Sequence, residues 1–164
     1  MTGAVELRTA VPADVEGIAA LVNDFAAARI MLPVRPEQIA LALHNFVVGV
    51  DERERVVACG ALKEYSPSLA EVASVAVAVD VHGRGLGRRI VRRLEELAAV
   101  RGTEELFALT LTPAFFEALG YGAVERACYP EKITRDCRAC ARRSACAEVC
   151  VRRMLHAREL EVAA

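Results

Sequence analysis

Three of the ten glycines lie within one short segment, His82-Gly83-Arg84-Gly85-Leu86-Gly87-Arg88. The segment follows the valine-rich stretch Ala70–Val79, which is apolar on both faces and therefore predicts a buried, central strand. It runs into Leu86–Arg101, whose apolar residues have helical spacing and which Gly102 is placed to end. Glycines at such a junction let the backbone approach a ligand closely, and the helix dipole favours negative charge there. The pattern predicts a phosphate or pyrophosphate site, with a plain tight turn as the alternative.

Two common phosphate-binding motifs do not fit this loop. The dinucleotide pattern G-x-G-x-x-G would need glycine at position 88 or 90, where Arg88 and Ile90 stand. A P-loop would need Gly-Lys-Ser/Thr, which does not follow. If the loop binds a pyrophosphate, it therefore does so in another way.

The rest of the chain predicts alternating strands and helices. Phe46–Val50 and Val56–Lys63 flank a charged turn and predict a hairpin. Further strands are predicted over residues 5–8, 106–110 and 121–128, and further helices from residue 12, over 36–44 and over 113–119. A meander that precedes a βαβ unit predicts an α/β fold: one domain with a mixed, mostly antiparallel central sheet flanked by helices.

Composition narrows the class of protein. Of the 164 residues 54% are apolar and 26% charged, which suits one domain with a substantial core. The longest apolar runs are far shorter than the about 20 residues that cross a bilayer, and Glu6 and Arg8 stand where a signal peptide would be apolar. The net charge of −1 gives no reason to expect nucleic acid or a membrane as partner. We predict a soluble, cytoplasmic domain and leave open whether it forms a homodimer.

The glycine segment and its surroundings resemble the GNAT superfamily of N-acetyltransferases. The family signature, Gln/Arg-x-x-Gly-x-Gly/Ala, is matched from His82 to Gly87, with histidine in place of the usual first residue. The strand Ser74-Val75-Ala76-Val77-Ala78-Val79-Asp80 and the later segment Phe115-Phe116-Glu117-Ala118-Leu119-Gly120-Tyr121 also match family patterns. The resemblance covers about residues 5–130 and implies the GNAT fold, with acetyl-CoA as donor and a small-molecule amine as acceptor.

The same resemblance implies which residues hold acetyl-CoA. The pyrophosphate is expected on the loop, and the pantetheine amides on backbone groups of the preceding strand. The cofactor-binding residues implied in this way are Val75, Val77, His82, Gly83, Arg84, Gly85, Gly87, Arg88 and Phe115.

A narrower resemblance concerns the acceptor. Several segments look like the short amino-acid N-acetyltransferases of arginine biosynthesis, the N-acetylglutamate synthases. Among them are Leu32-Pro33-Val34-Arg35 and Tyr129-Pro130-Glu131-Lys132-Ile133. This likeness implies L-glutamate as acceptor and Arg35 as the group that binds its carboxylate, since a guanidinium can make two parallel hydrogen bonds to it. Lys132 is a second cationic candidate, and a surface arginine in a proline-bounded loop is the alternative for Arg35.

Glu71 is the candidate general base. An ammonium must lose a proton before it attacks a thioester, and a nearby carboxylate can accept that proton. Glu71 lies in an otherwise apolar strand, at the position where histone-acetylating relatives have their base; the alternative is a solvated glutamate at a sheet edge. Many relatives protonate the leaving thiolate with a tyrosine that Phe116 replaces here, so no general acid is assigned, and Tyr121 and Tyr129 are untested substitutes.

Four cysteines crowd the C-terminal end, Cys137, Cys140, Cys146 and Cys150. The first pair has the spacing of a zinc knuckle, but the gap between the two pairs is shorter than in common zinc modules, so zinc is an alternative that we do not favour. Disulfides are unusual in a cytoplasmic protein. We favour reduced thiols that pack a C-terminal tail, and the metal content is left open.

We therefore predict an acetyl-CoA-binding N-acetyltransferase domain over residues 1–130 and a cysteine-rich extension over residues 131–164, packed on or near the domain. Two alternatives stay open. One is acetylation of another amine, such as a different amino acid, a polyamine or a protein lysine. The other is a non-catalytic acyl-CoA sensor that keeps the loop but has lost the chemistry.

Overall fold

A computed structural model describes residues 3–155 of the chain. The strands are β1 (Glu6–Thr9), β2 (Phe46–Val50), β3 (Val56–Ser66), β4 (Leu69–Val77), β5 (Glu105–Thr110), β6 (Gly122–Ala123) and β7 (Val149–Met154). The helices are α1 (Val15–Ala27), α2 (Pro36–Leu41), α3 (Leu86–Val100), α4 (Pro113–Glu117) and α5 (Pro130–Arg135). Short 3-10 turns connect several of them.

The described strands hydrogen-bond in the order β1-β2-β3-β4-β5-β7-β6. The pair β4–β5 is parallel, whereas β1–β2, β2–β3, β5–β7 and β6–β7 are antiparallel. The prediction of a mixed, mostly antiparallel sheet is therefore confirmed. The chain divides into two compact units, one of residues 3–63 and 72–97, the other of residues 64–71 and 98–155.

In the first unit, β1, β2 and β3 form an antiparallel meander whose core is aliphatic. Ile18 and Val22 from α1, Ile39 from α2 and Val48 from β2 are all essentially inaccessible to solvent. Gly60 of β3 lets α3 pack directly on the strand, because a Cβ at this position would lie 2.6 Å from Cγ2 of Ile90. This close packing sets where α3, and therefore the loop before it, begins.

In the second unit, the first residues of β4 pair with β5, with Glu71 opposite Phe107. Phe107 stacks on Tyr129, with ring centroids 4.1 Å apart, and lies 5.6 Å from the ring of Tyr65. Together with Cys150 these rings make a small aromatic core. The β5 residue that pairs with Glu71 therefore belongs to an apolar cluster.

The C-terminal part of the chain departs from the prediction. The predicted strand over residues 121–128 is wrong, because only Gly122–Ala123 pairs as a strand and a 3-10 turn occupies Arg126–Cys128. Val149–Met154, for which we predicted no strand, pairs along the whole of β5 and with β6. Pairing with β5 satisfies the backbone of this segment, and such long-range pairing leaves no local signal.

Candidate active site

The glycine loop has the backbone that a close-approaching ligand requires. Gly83 and Gly85 have φ of +80° and +70°, values that side chains make unfavourable. A Cβ at either position would have no other heavy atom within 4 Å, so the space above the loop is open. The first helical hydrogen bond of α3 runs from the Arg89 N–H to the Gly85 carbonyl, so the N–H groups before it have no partner within the helix. The loop therefore fits an anionic group at the positive end of a helix.

Side chains fix the loop to the end of β4. Nε2 of His82 lies 2.6 Å from the carbonyl oxygen of Val77, and because that oxygen can only accept, Nε2 carries the proton. Arg55 forms a 2.7 Å ion pair with Asp80, just before the loop. Arg84 reaches the carbonyl of Gly3 at 3.4 Å, and Arg88 is exposed. His82, which stands where the family signature has Gln or Arg, thus anchors the loop through its imidazole ring.

The strand before the loop is irregular. Ser74 has a φ of +54°, a conformation that non-glycine residues adopt rarely, and its carbonyl accepts a hydrogen bond from the Cys59 thiol at 3.4 Å. Val75 and Val77, which we expected beside the pantetheine, follow Ser74 on β4 and are half-buried. The structure therefore brings His82 and Val77 together at one end of β4, in the first unit.

The second unit holds four polar side chains in mutual contact that we call the Glu71 ring: Glu71, Tyr65, Lys132 and Asp136. Nζ of Lys132 lies 2.9 Å from Oε2 of Glu71 and 3.0 Å from Oδ2 of Asp136. The Tyr65 hydroxyl lies 2.9 Å from the same Glu71 oxygen and 2.6 Å from the same Asp136 oxygen. Glu71 is 5% exposed, so the interpretation as a solvated edge residue is wrong.

Burial and the neighbouring charges have opposite effects on the pKa of Lys132. Burial lowers the pKa of its ammonium, but the carboxylates of Glu71 and Asp136 outweigh that effect, and the pKa lies above its ordinary value. For Tyr65, burial and the charge of Glu71 both raise the pKa of the hydroxyl. Lys132 is therefore charged and Tyr65 neutral at physiological pH.

The two residues predicted for the acceptor's carboxylate differ in their surroundings. Arg35 is exposed before the first turn of α2, where its N–H donates to Oε1 of Gln38 at 3.0 Å. Within residues 3–155 its guanidinium has no hydrogen bond or ion pair. Lys132, by contrast, is engaged by two carboxylates, and its side chain is 13% exposed. Arg35 has its donors available for a ligand, whereas Lys132 belongs to the Glu71 ring.

The aromatic candidates are packed rather than exposed. Phe115 is half-buried and meets Phe116 edge-to-face, and Phe116 in turn meets Tyr121 in the same way. The Tyr129 hydroxyl donates to Glu105 at 2.7 Å. Burial, followed by that hydrogen bond, raises the pKa of Tyr129. Tyr129 is therefore already engaged as a donor inside the protein.

All six cysteines are free thiols in the structure. Nη2 of Arg126 lies 3.3 Å from Sγ of Cys146 and donates to the Glu148 carbonyl at 3.0 Å. Within the part of the chain that the structure describes, no three His, Cys, Asp or Glu side chains are grouped so that they could hold a metal ion.

Sequence reasoning missed two members of the Glu71 ring, Tyr65 and Asp136. Tyr65 lies beyond Lys63, the predicted end of the second hairpin strand, whereas β3 extends through it to Ser66. Asp136 follows Lys132 by four residues, a spacing that brings side chains together on one face of a helix. That spacing was the available signal for Asp136; only the fold shows that Tyr65 joins them.

A sequence profile described as the acetyltransferase (GNAT) family matches residues 19–121. An uncharacterized N-acetyltransferase of Chlorobaculum tepidum is 36% identical over 143 residues, which make up 87% of this chain and 92% of that protein. The amino-acid acetyltransferase of Mycobacterium tuberculosis is 33% identical over 121 residues, 73% of this chain and 69% of that enzyme. The chain belongs to the acetyltransferase (GNAT) family.

Solved structures agree with this assignment. N-acetylglutamate synthase from Neisseria gonorrhoeae, complexed with coenzyme A and N-acetyl-glutamate, is similar over 95% of this chain, with a TM-score of 0.83 and 25% identity. The match covers 36% of that longer enzyme. A Mycobacterium tuberculosis protein in complex with CoA is similar over 92% of this chain and 99% of its own, with a TM-score of 0.80 and 26% identity. The predicted GNAT fold and acetyl-CoA-dependent N-acetyltransferase activity are thereby confirmed.

The helices within residues 3–155 offer no candidate for a membrane span, since none combines the necessary length with the necessary apolar character.

Proposed function

We propose that this acetyltransferase transfers the acetyl group of acetyl-CoA to the α-amine of L-glutamate, in the cytoplasm and in the service of arginine biosynthesis. The observation that carries the proposal is the likeness to an amino-acid acetyltransferase over 73% of this chain and 69% of that enzyme. The similarity to an N-acetylglutamate synthase complexed with its N-acetyl-glutamate supports glutamate in particular.

The donor's pyrophosphate is assigned to the glycine loop. The open space above Gly83 and Gly85 suits the approach of phosphate oxygens, and the N–H groups at the start of α3 would donate to them. The exposed guanidinium of Arg88 adds positive charge nearby. Acetyl-CoA supplies an acetyl group on a thioester, whose thiolate is a tolerable leaving group without a tyrosine acid.

The acceptor's carboxylate is assigned to Arg35. Its guanidinium has five N–H donors and can bind a carboxylate through two parallel hydrogen bonds. Within residues 3–155 none of these donors is hydrogen-bonded to another residue. A binding site that reads a carboxylate in this way separates amino acids from simple amines. Arg35 therefore defines the substrate class.

The acceptor's proton is assigned to Glu71. The α-amine is mostly protonated at neutral pH, so an N–H bond must break and leave its electron pair on nitrogen before attack. Oε2 of Glu71 takes that proton, directly or through water. Its burial and its place in the ring hold the carboxylate oxygen in a fixed position.

One experiment tests the assignment. The purified chain is incubated with acetyl-CoA and each amino acid in turn, together with decarboxylated analogues and a polyamine, while released thiol is measured. We expect the highest kcat/KM with L-glutamate. A higher value with another amine would overturn the glutamate assignment and leave the acetyltransferase. Calorimetric CoA binding without thiol release for any amine would instead favour a non-catalytic sensor.

A further inference from the structure

The Tyr65 hydroxyl has two carboxylate contacts in the Glu71 ring but only one proton to donate. Lys132 has three ammonium protons and directs one at Oε2 of Glu71 and one at Oδ2 of Asp136. The Tyr65 hydroxyl has a single proton, yet its oxygen contacts the same two carboxylate oxygens at 2.9 and 2.6 Å. When both carboxylates are ionised, three protons therefore serve four contacts. One contact of the ring is left for an additional proton.

We propose that Glu71 and Asp136 share this additional proton across the Tyr65 hydroxyl, and that Asp136 and Lys132 are positioning residues that control when Glu71 accepts it. The proposal rests on the proposed function, in which Glu71 takes the acceptor's proton. It adds that the proton is received by the ring as a unit and not by one isolated carboxylate.

The proton step balances within the ring. The acceptor's N–H bond breaks, its electron pair stays on nitrogen, and an O–H bond forms at Oε2 of Glu71. Protonated Glu71 then donates to the Tyr65 oxygen, while the Tyr65 hydroxyl donates to Oδ2 of Asp136, its shorter contact. Lys132 keeps its charge in this step, because Asp136 stays ionised and its Oδ2 lies 3.0 Å from the ammonium. All four contacts are then filled.

The groups that face Glu71 come from each neighbouring element. Tyr65 comes from β3, Lys132 from α5 and Asp136 from the turn after α5, while β5 contributes the apolar ring of Phe107. From β7 comes the thiol of Cys150; burial is the main cause that raises its pKa to about 11, and the charge of Glu71 adds to it. The guanidinium of Arg135, also on α5, lies over the Tyr65 ring at 4.6 Å from its centroid. Lys132 contacts Glu71 directly and Asp136 contacts it through Tyr65, so these two are the charged groups chosen for the test.

The test uses two substitutions with opposite expected effects on the acidic side of the pH profile of kcat/KM. Asp136→Asn removes a like charge, so the half-maximal point should move to lower pH by about one unit. Lys132→Met removes an opposite charge, so the point should move to higher pH by about one unit or more. Glu131→Gln, an exposed change on α5, is the matched control and should leave the profile in place. A structural defect alone would lower kcat without moving the half-maximal points in opposite directions.

A second readout needs no activity. Carbon-13 NMR of labelled side-chain carboxyl groups follows Glu71 through a pH titration of the free protein. We expect Glu71 and Asp136 to titrate together in the wild type, and Glu71 to titrate alone and at lower pH in Asp136→Asn. Because Asp136→Asn retains an oxygen that accepts from Tyr65, it decides the matter even if Lys132→Met does not fold.

The two proposals fail in different ways. If Glu71→Gln has the pH profile of the wild type, Glu71 is not the base and the proposed mechanism falls. If Glu71→Gln changes the profile but Asp136→Asn shifts neither the profile nor the Glu71 resonance, the shared proton is overturned and the base assignment stands.

Discussion

A methyl group on Gly60 would lie 2.6 Å from Cγ2 of Ile90 and 2.9 Å from Cδ1 of Leu94. These distances are shorter than van der Waals contact, and both side chains are fully buried in the first unit. The axis of α3 is therefore as close to β3 as a glycine allows. Because the glycine loop runs directly into α3, the residue type at position 60 helps to place the loop.

We accordingly expect Gly60→Ala to destabilise the protein by about 1–3 kcal/mol, the usual cost of overpacking a core. Urea denaturation measures the loss. Gly122→Ala is the control, because a Cβ at Gly122 would have no other heavy atom within 4 Å. Equal stability of the Gly60 and Gly122 variants would mean that α3 shifts without cost.

Gly85→Val should abolish CoA binding in calorimetry, since the side chain would enter the space above the loop. The left-handed conformation alone costs roughly 1–2 kcal/mol of stability with any side chain. Gly102→Val separates the two effects, because Gly102 has a φ of +80° and equally open surroundings at the other end of α3. We expect Gly102→Val to lose similar stability and to keep its CoA affinity.

Glu71→Gln should lower kcat at neutral pH, with part of the loss recovered at higher pH as more of the acceptor amine is deprotonated in solution. The measurement is a pH–rate profile at saturating acetyl-CoA. Thermal unfolding should accompany it, because the amide also weakens the ion pair with Lys132. A constant fractional loss of kcat at every pH would speak against a role as proton acceptor.

Arg35→Ala should raise the acceptor's KM about ten- to a hundred-fold, as expected for a lost charged hydrogen bond worth roughly 1.5–3 kcal/mol. CoA binding should be unaltered, and Arg35→Lys should rescue only in part because an ammonium lacks the two-pronged geometry. Arg53→Ala, an exposed arginine in the hairpin turn, is the control. If the wild type acetylates decarboxylated analogues with the same kcat/KM as the amino acid, Arg35 does not bind the acceptor's carboxylate.

We expect the ionised Asp14 carboxylate to contribute to the free energy of unfolding and this contribution to be lost in acid. Burial raises the pKa of its carboxyl, but hydrogen bonds from the Arg8 guanidinium at 2.6 and 3.1 Å and from the Val11 N–H at 2.7 Å outweigh burial and lower it. A pKa that is lower in the folded state stabilises the protein above the unfolded value of about 4, and this contribution is lost as pH falls through the folded value. Asp14→Asn should therefore cost about 1.5–3 kcal/mol at pH 7. Denaturant titrations at pH 7 and at about pH 2 should show that difference and then its disappearance.

Elements could be predicted from the sequence wherever a local pattern is compatible with only one secondary structure. The hairpin over β2 and β3, the apolar β4, and α3 between the glycine loop and Gly102 were predicted close to their observed bounds. The long-range features were not predictable in the same way. β7 exists because its backbone pairs with β5, and Glu71 is buried because Lys132, distant in sequence, supplies its counter-charge.

The position of β7 between β5 and β6 has a consequence for how the chain is made. Ribosomes deliver β5 well before Val149–Met154, so the edge of β5 that β7 will cover stays exposed for part of synthesis. An uncovered strand edge is a template for pairing with other chains. We therefore expect a chain that stops before Val149 to present the uncovered edge of β5 and to aggregate more readily than the full chain.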